Sequence, residues 1–400
     1  MPLYWIWFAQ LKNISLLTKQ QLLQIFHDPE ELFLAEESAL KDLPKEVQTA
    51  LLNRDLSEAT KTMNLCKQLG IGIVTYGDTA YPQNLQNIED PPLVLYFKGK
   101  LPDWQAQPMI GIVGTRKASP YGLQTADLLA SQTAVCGGIV VSGVAAGIDG
   151  AAMEGALSVD KSVVGVLGCG VDVVYPISNR TLYRRTEGNG CLISEYPPGS
   201  RPYPGNFLRR NRIISGISHG VLVVEAPEKS GALNTAQHAF AQGRDVFVAP
   251  ANLGVETSKG SNQLLQEGAY AVFSGWDVMK HYAPLYPGVV ENRPMPNRKQ
   301  QAKVAETPVM PKNRADNSQT PVKNPIDNEA KSTYSVINKQ LADLSQTESG
   351  VFALLSPEPQ MIDSILDAVN LPYGTVQSIL TRLTIKGLVT QHPDGRVSRK

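Results

Sequence analysis

Seven short apolar runs punctuate the middle of this chain: MIGIVG (109–114), GGIVVSG (137–143), SVVGVLG (162–168), CLISEY (191–196), GVLVVEA (220–226), DVFVAP (245–250) and AYAVFS (269–274). They are continuous rather than alternating, as strands buried on both faces are. Helix-length segments rich in alanine and leucine lie between most of them. This alternation predicts an α/β fold, a Rossmann-like doubly wound parallel sheet over residues 71–282. Its opening stretch, GIVTYGDTAYPQNLQNIEDPPLVLYFKG, holds two strand-like runs around a proline-rich connection and reads as the entry to the sheet.

The pattern changes on either side. In residues 1–68, Leu16, Leu17, Leu22, Leu23, Ile25 and Phe26 recur near helical spacing until Asp28-Pro29 breaks the run, which predicts a small helical, SAM-like domain. No glycine hairpin marks it as a DNA grip, so it reads as a structural or dimerising cap. Residues 284–325 carry eight prolines and little aliphatic periodicity, so 283–345 reads as a flexible linker. Between Arg293 and Lys323 it holds seven basic and two acidic residues, which suits a solubilising tether and a nucleic-acid contact equally. Order returns over 346–400 with SGVFALLS, MIDSILDAVNLP and YGTVQSILTRLTIKG, then a strand and an Asp394-Gly395 turn, a winged-helix pattern. Its third helix, Tyr373 to Lys386, offers Arg382 and Lys386 as cations, and both protein and DNA remain open as its partner.

Composition narrows the chemistry. With 42% hydrophobic residues over 400 positions the chain can bury two or three cores, and its 37 basic and 37 acidic side chains cancel. Any nucleic-acid site must therefore come from local clustering of cations. Cys66, Cys136, Cys169 and Cys191 form no C-x-x-C pair and suit buried thiols in a reducing cytoplasm, and the histidines form no H-E-x-x-H motif, so no metal is expected. The apolar start MPLYWIWFAQL lacks a basic n-region and the length to span a bilayer, and reads as a buried helix.

In a doubly wound sheet, ligands meet the loops at the carboxyl ends of the strands. Here those loops carry GTRKASPYG (114–122), SGVAAGIDGAA (142–152), GCGVDVVYP (168–176), PGNFLRRNRIISG (204–216) and APEKSGALNTA (226–236). Glycines next to cations at helix starts describe an anion groove, because backbone N–H groups and arginine forks both suit phosphate. The richest segment is the fourth. There a loop of Pro204, Gly205 and Asn206 is expected to present Phe207 as a stacking face, with Arg209, Arg210 and Arg212 following where a helix starts. Asp149 reads as an internal cap or ion-pair partner. No G-x-G-x-x-G follows the first run and no G-x-x-x-x-G-K-S/T occurs, so no nucleotide cofactor is expected.

These motifs, in this order and with the preceding DPPLVLYFKG, resemble the DNA-processing protein A (DprA, Smf) family, densely from Tyr76 to about Tyr282. The resemblance implies a non-enzymatic, cytoplasmic, dimeric factor of natural transformation that binds incoming single-stranded DNA and loads the recombinase RecA onto it. The resemblance places DNA contacts at Arg116, Phe207, Arg209, Arg210, Arg212, Lys229 and Ser230, and the rim loops themselves add Gly114, Thr115, Lys117, Ser119, Ser142, Gly143, Gly205, Asn206, Asn211 and Gly231 as expected contacts. Two positions depart from the family pattern: Ala146 stands where it has a cation and Met153 where it has a histidine. The enzymatic alternative is a Rossmann-fold phosphoribohydrolase acting on nucleoside monophosphates, whose P-G-G-x-G-T signature is missing here.

Overall fold

The computed structural model describes residues 1–12, 14–295, 351–352, 354–356, 360–361, 375–376, 379–380, 383–384, 388–392 and 396–399. The chain forms two compact units, Met1–Thr307 and Pro308–Lys400. In the first, all seven apolar runs become strands of one sheet. Its strands are β1 (Gly72–Thr75), β2 (Val94–Gly99), β3 (Met109–Val113), β4 (Ile139–Ser142), β5 (Val163–Val166), β6 (Gly190–Ser194), β7 (Gly220–Val223), β8 (Asp245–Val248) and β9 (Tyr270–Ala271). They lie in the order β1-β2-β6-β5-β4-β3-β7-β8-β9. From β6 to β9 every pairing is parallel, while β1–β2 and β2–β6 are antiparallel.

Both faces are covered, which explains why the central strands read as unbroken apolar runs. On one face Ile110, Ile112, Val140 and Val163 pack with Ala126, Leu129 and Ala130 of helix Pro120–Val135 and Ile148, Ala152 and Met153 of helix Ile148–Leu157. The other face sets Val113, Val141, Val164 and Val223 against Ile213, Ile214 and Ile217 of helix Pro204–Ile217 and Ala232, Ala236 and Ala239 of helix Gly231–Ala241. The N-terminal helices join the first layer. Trp5, Ile6, Trp7 and Phe8 of helix Pro2–Gln10 share its apolar cluster with Val94 and Tyr96 of β2. All four cysteines are buried and unpaired.

The order of strands fixes where a ligand can enter. From β3 the chain crosses to β4 on one side, and from β7 it crosses to β8 on the other. Since β3 and β7 are neighbours, their outgoing loops part and leave a crevice between them, the topological switch point.

In the second unit, β10 (Gln360–Met361), β11 (Val389–Gln391) and β12 (Arg396–Arg399) form an antiparallel sheet in the order β10-β12-β11. Val351, Leu355, Val376, Ile379, Leu380, Leu383, Leu388 and Val397 cluster into its core. The proline-rich stretch expected as a linker lies, from residue 296 onward, outside the described residues, as do Arg382 and Lys386. No described helix is long and apolar enough to cross a membrane.

Candidate nucleic-acid interface

Helices starting at Pro120, Ile148, Pro204 and Gly231 are among those that begin at the carboxyl edge of the sheet. Their dipoles add positive potential to this rim. The loop after β3 is shaped by close packing. A side chain at Gly114 would collide with Ile148 and the Glu225 carbonyl. The Thr115 N–H donates to that carbonyl at 2.7 Å, and Thr115 O accepts from Ile148 N–H at 3.2 Å. Arg116 and Lys117 are left exposed. Ser119 caps the next helix by accepting from Gly122 N–H at 3.0 Å, and its own N–H and hydroxyl donate to Glu225 Oε2 at 2.9 and 3.2 Å.

The arginine segment is helical throughout, beginning with Pro204 at its first turn. Proline suits that position because its missing N–H has no helical partner to lose. The expected loop of Pro204, Gly205 and Asn206 is therefore the first turn of the helix, and Asn206 N–H donates back to Tyr203 O at 3.0 Å. Helical phase then distributes the side chains in different directions. Phe207 faces the crevice. Its ring centre is 5.3 Å from that of Tyr175, and the Arg116 guanidinium stands 5.1 Å from it. A Cβ at Gly168 would lie 2.8 Å from the Phe207 ring, so only glycine lets the ring settle there. The result is a cation–aromatic platform assembled from two loops and the start of a helix.

Arg210, one position short of a full turn from Phe207, forms the floor. It is 3% exposed, donates through Nη1 to Val166 O, and has no partner for Nε. Burial pushes its pKa down, and the neighbouring Asp149 carboxylate opposes that shift. Asp149, 6% exposed, is raised by burial, while Arg210 and the N–H groups of Ala145 and Gly114 hold it down. Gly143 lies between the two, since a Cβ there would overlap both guanidinium nitrogens and Asp149 Oδ2. The remaining wall comes from the loop after β7: Lys229 is exposed, Ser230 caps helix Gly231–Ala241 through Ala232 N–H at 3.2 Å, and Asn211 ties that helix down by donating to Gly231 O at 3.0 Å. Together they enclose a cavity of about 560 Å³.

The structure thus brings Gly114, Thr115, Arg116, Phe207, Arg210, Asn211, Lys229, Ser230 and Gly231 to one cavity. It takes others elsewhere. Ser142 is fully buried and donates to Ile112 O at 2.6 Å, which makes it a strand tie rather than a contact. Gly143 serves packing. Arg212, 5% exposed, pairs with Glu195 at 2.8 Å and Asp90 at 3.1 Å, and Arg209 leans toward Glu195 at 3.6 Å and Asp90 at 3.9 Å. Those two arginines line a different depression, shared with Leu11 and Lys19 of the N-terminal helical segment. Lys117, Ser119, Gly205 and Asn206 lie on the rim outside the lining. Met153 is in the core, and Ala146 is partly buried beside Ala145, which does line the cavity. The sequence reading missed Tyr175. Its signal was an aromatic before proline in a rim loop.

Comparison with known proteins gives this geometry its family. The model for DNA recombination-mediator protein A matches residues 72–283, and a DprA winged helix domain matches 338–395. Protein Smf from Synechocystis is 32% identical over 99% of this chain and 98% of its own length. The X-ray structure of DNA processing protein A from Streptococcus pneumoniae superposes with a TM-score of 0.62 at 30% identity, covering 70% of this chain and 98% of that one. A Helicobacter pylori DNA processing protein A structure, described for its single-stranded DNA binding mode, is 30% identical over 54% of this chain and 97% of its own, with a TM-score of 0.49. The chain belongs to the DNA recombination-mediator protein A family.

Proposed function

We propose that this chain holds single-stranded DNA at the switch-point cavity without acting on it chemically, and that, as a recombination mediator and a homodimer, it passes the strand to the recombinase RecA. The observation that carries the reading is the platform of Phe207, Tyr175 and Arg116 opening beside Lys229 and the helix N-termini. Aromatic faces accept any unpaired base, and cations with helix ends accept the phosphates between them. A paired base in a duplex has no free face to offer. Among the described residues, the one carboxylate in the cavity wall is Asp149, which accepts from two backbone N–H groups and faces Arg210, an arrangement that holds the floor together.

Titration of a fluorescent single-stranded oligonucleotide tests this. Phe207→Ala should weaken binding by about 5- to 150-fold, the equivalent of roughly 1–3 kcal/mol of stacking. Arg116→Ala should lower the salt slope by about 0.7, one phosphate contact on a single strand. Unchanged affinity in both variants would remove the cavity from the function. Release of a free base from nucleoside monophosphates would make the protein an enzyme and overturn the non-catalytic reading.

A further inference from the structure

The switch-point cavity has a second group of cations close by. We infer that the strand leaves it past Tyr175 and continues along helix Arg180–Asn189, where Arg180, Arg184 and Lys98 take further phosphates. This rests on the cavity being the single-strand site.

Two anchors make the helix an extension of that site. The Tyr183 hydroxyl, in the middle of the helix, accepts from Tyr175 N–H at 3.3 Å and donates to Tyr175 O at 2.9 Å, so the helix and the aromatic platform are fixed to each other. Asn179, just before the helix, donates to Val144 O and Ala145 O at 3.0 Å each, and Ala145 lines the cavity. The start of the helix therefore stands close to the rim.

The cations on this helix fall into two sets. Arg185 is committed to Glu154. Arg180 and Arg184 are exposed, four residues apart on one face, and neither has an ion-pair partner among the described residues. With Lys98 of β2 they border a depression of about 210 Å³. Its two carboxylates do not neutralise them. Asp172, whose two oxygens accept from Gly199 N–H at 2.9 and 3.0 Å, and Glu187 set two negative charges against three positive ones. Guanidinium forks with no ion-pair partner suit a polyanion, and a strand already seated on Tyr175 is the polyanion within reach.

Oligonucleotide length separates this extension from the cavity. The full chain and the Arg180→Ala/Arg184→Ala variant are titrated across a salt series with oligothymidylates of about five and about twenty nucleotides, lengths that fill one subsite and overrun it. The short strand should bind both proteins alike. The long strand should bind the variant more weakly, with a salt slope lower by about 1.4, two phosphate contacts. If the variant melts early, Arg180→Gln/Arg184→Gln replaces it. An unchanged slope with the long strand overturns the extension, and so does an equal loss at both lengths, which would put these arginines in the cavity itself. Phe207→Ala run in parallel keeps the two readings apart: if it weakens the short strand while the arginine pair has no effect on the long one, the cavity stands and the extension falls.

Discussion

Three arginines within four positions, Arg209, Arg210 and Arg212, have separate tasks because a helix turns each residue about 100° from the last. Arg210 is the cavity floor, while Arg212 and Arg209 face Glu195 and Asp90. Arg212→Ala should therefore cost about 3–5 kcal/mol of stability, since it strands a carboxylate whose side chain is 9% exposed, and should leave the salt slope of DNA binding alone. A normal melt combined with a lower slope would place Arg212 on the DNA. The sequence showed the cations but not their directions, because an R-R-N-R run reads as one cluster until helical phase is assigned to it. Lys19 is a second residue that pattern could not reveal. Its ammonium is buried and donates to Ala9 O at 2.9 Å and Leu11 O at 3.0 Å, and burial, assisted by Arg209, lowers its pKa to about 8. The unfolded chain, with the ordinary value of 10.5, binds this proton more tightly. Stability should therefore rise with pH between about 8 and 10.5, by something on the order of 3 kcal/mol. Denaturant unfolding of wild type and Lys19→Met at pH 7.5 and 10 checks the sign: the gap between them should shift in favour of wild type at the higher pH, and a fixed gap would mean the ammonium is solvated.

Strands were the legible elements. Seven apolar runs became β3 to β9, since burial on both faces leaves little room for polar side chains. Loops at the carboxyl ends were legible as a group for the same reason: in a parallel sheet they share one edge. The start of helix Pro204–Ile217 was misplaced because Pro-Gly-Asn reads as a turn, whereas proline at the first helical position, followed by tertiary packing of Ile213, Ile214 and Ile217, carries the helix through Gly205. Gly143 was read as a rim contact and instead makes room for the junction of β4 with that helix. Gly143→Ala should push Arg210 off the floor, lowering stability by about 1–3 kcal/mol and weakening single-strand binding. Thermal melting and an oligonucleotide titration on the same sample test it, and a variant unchanged in both would show that the junction has slack.

Across the whole molecule, the charges cancel at 37 of each sign, so affinity for DNA rests on the local field of the rim and must fall steeply with salt. Among the described residues, every one that lines the cavity belongs to the unit Met1–Thr307. A chain ending at residue 307 should unfold in one cooperative transition and keep most of its single-strand affinity. Loss of cooperativity would mean the second unit completes the first one's core. The central claim, that the switch-point cavity takes unpaired bases on Phe207 and Tyr175, is tested most directly by titrating the full chain with one sequence as a single strand and as a duplex across a salt series, with Phe207→Ala alongside. The single strand should bind more tightly at every salt concentration, and the Phe207→Ala loss should appear with the single strand and be absent with the duplex. Equal affinity for the two forms, or the same Phe207→Ala loss on both, would contradict the claim.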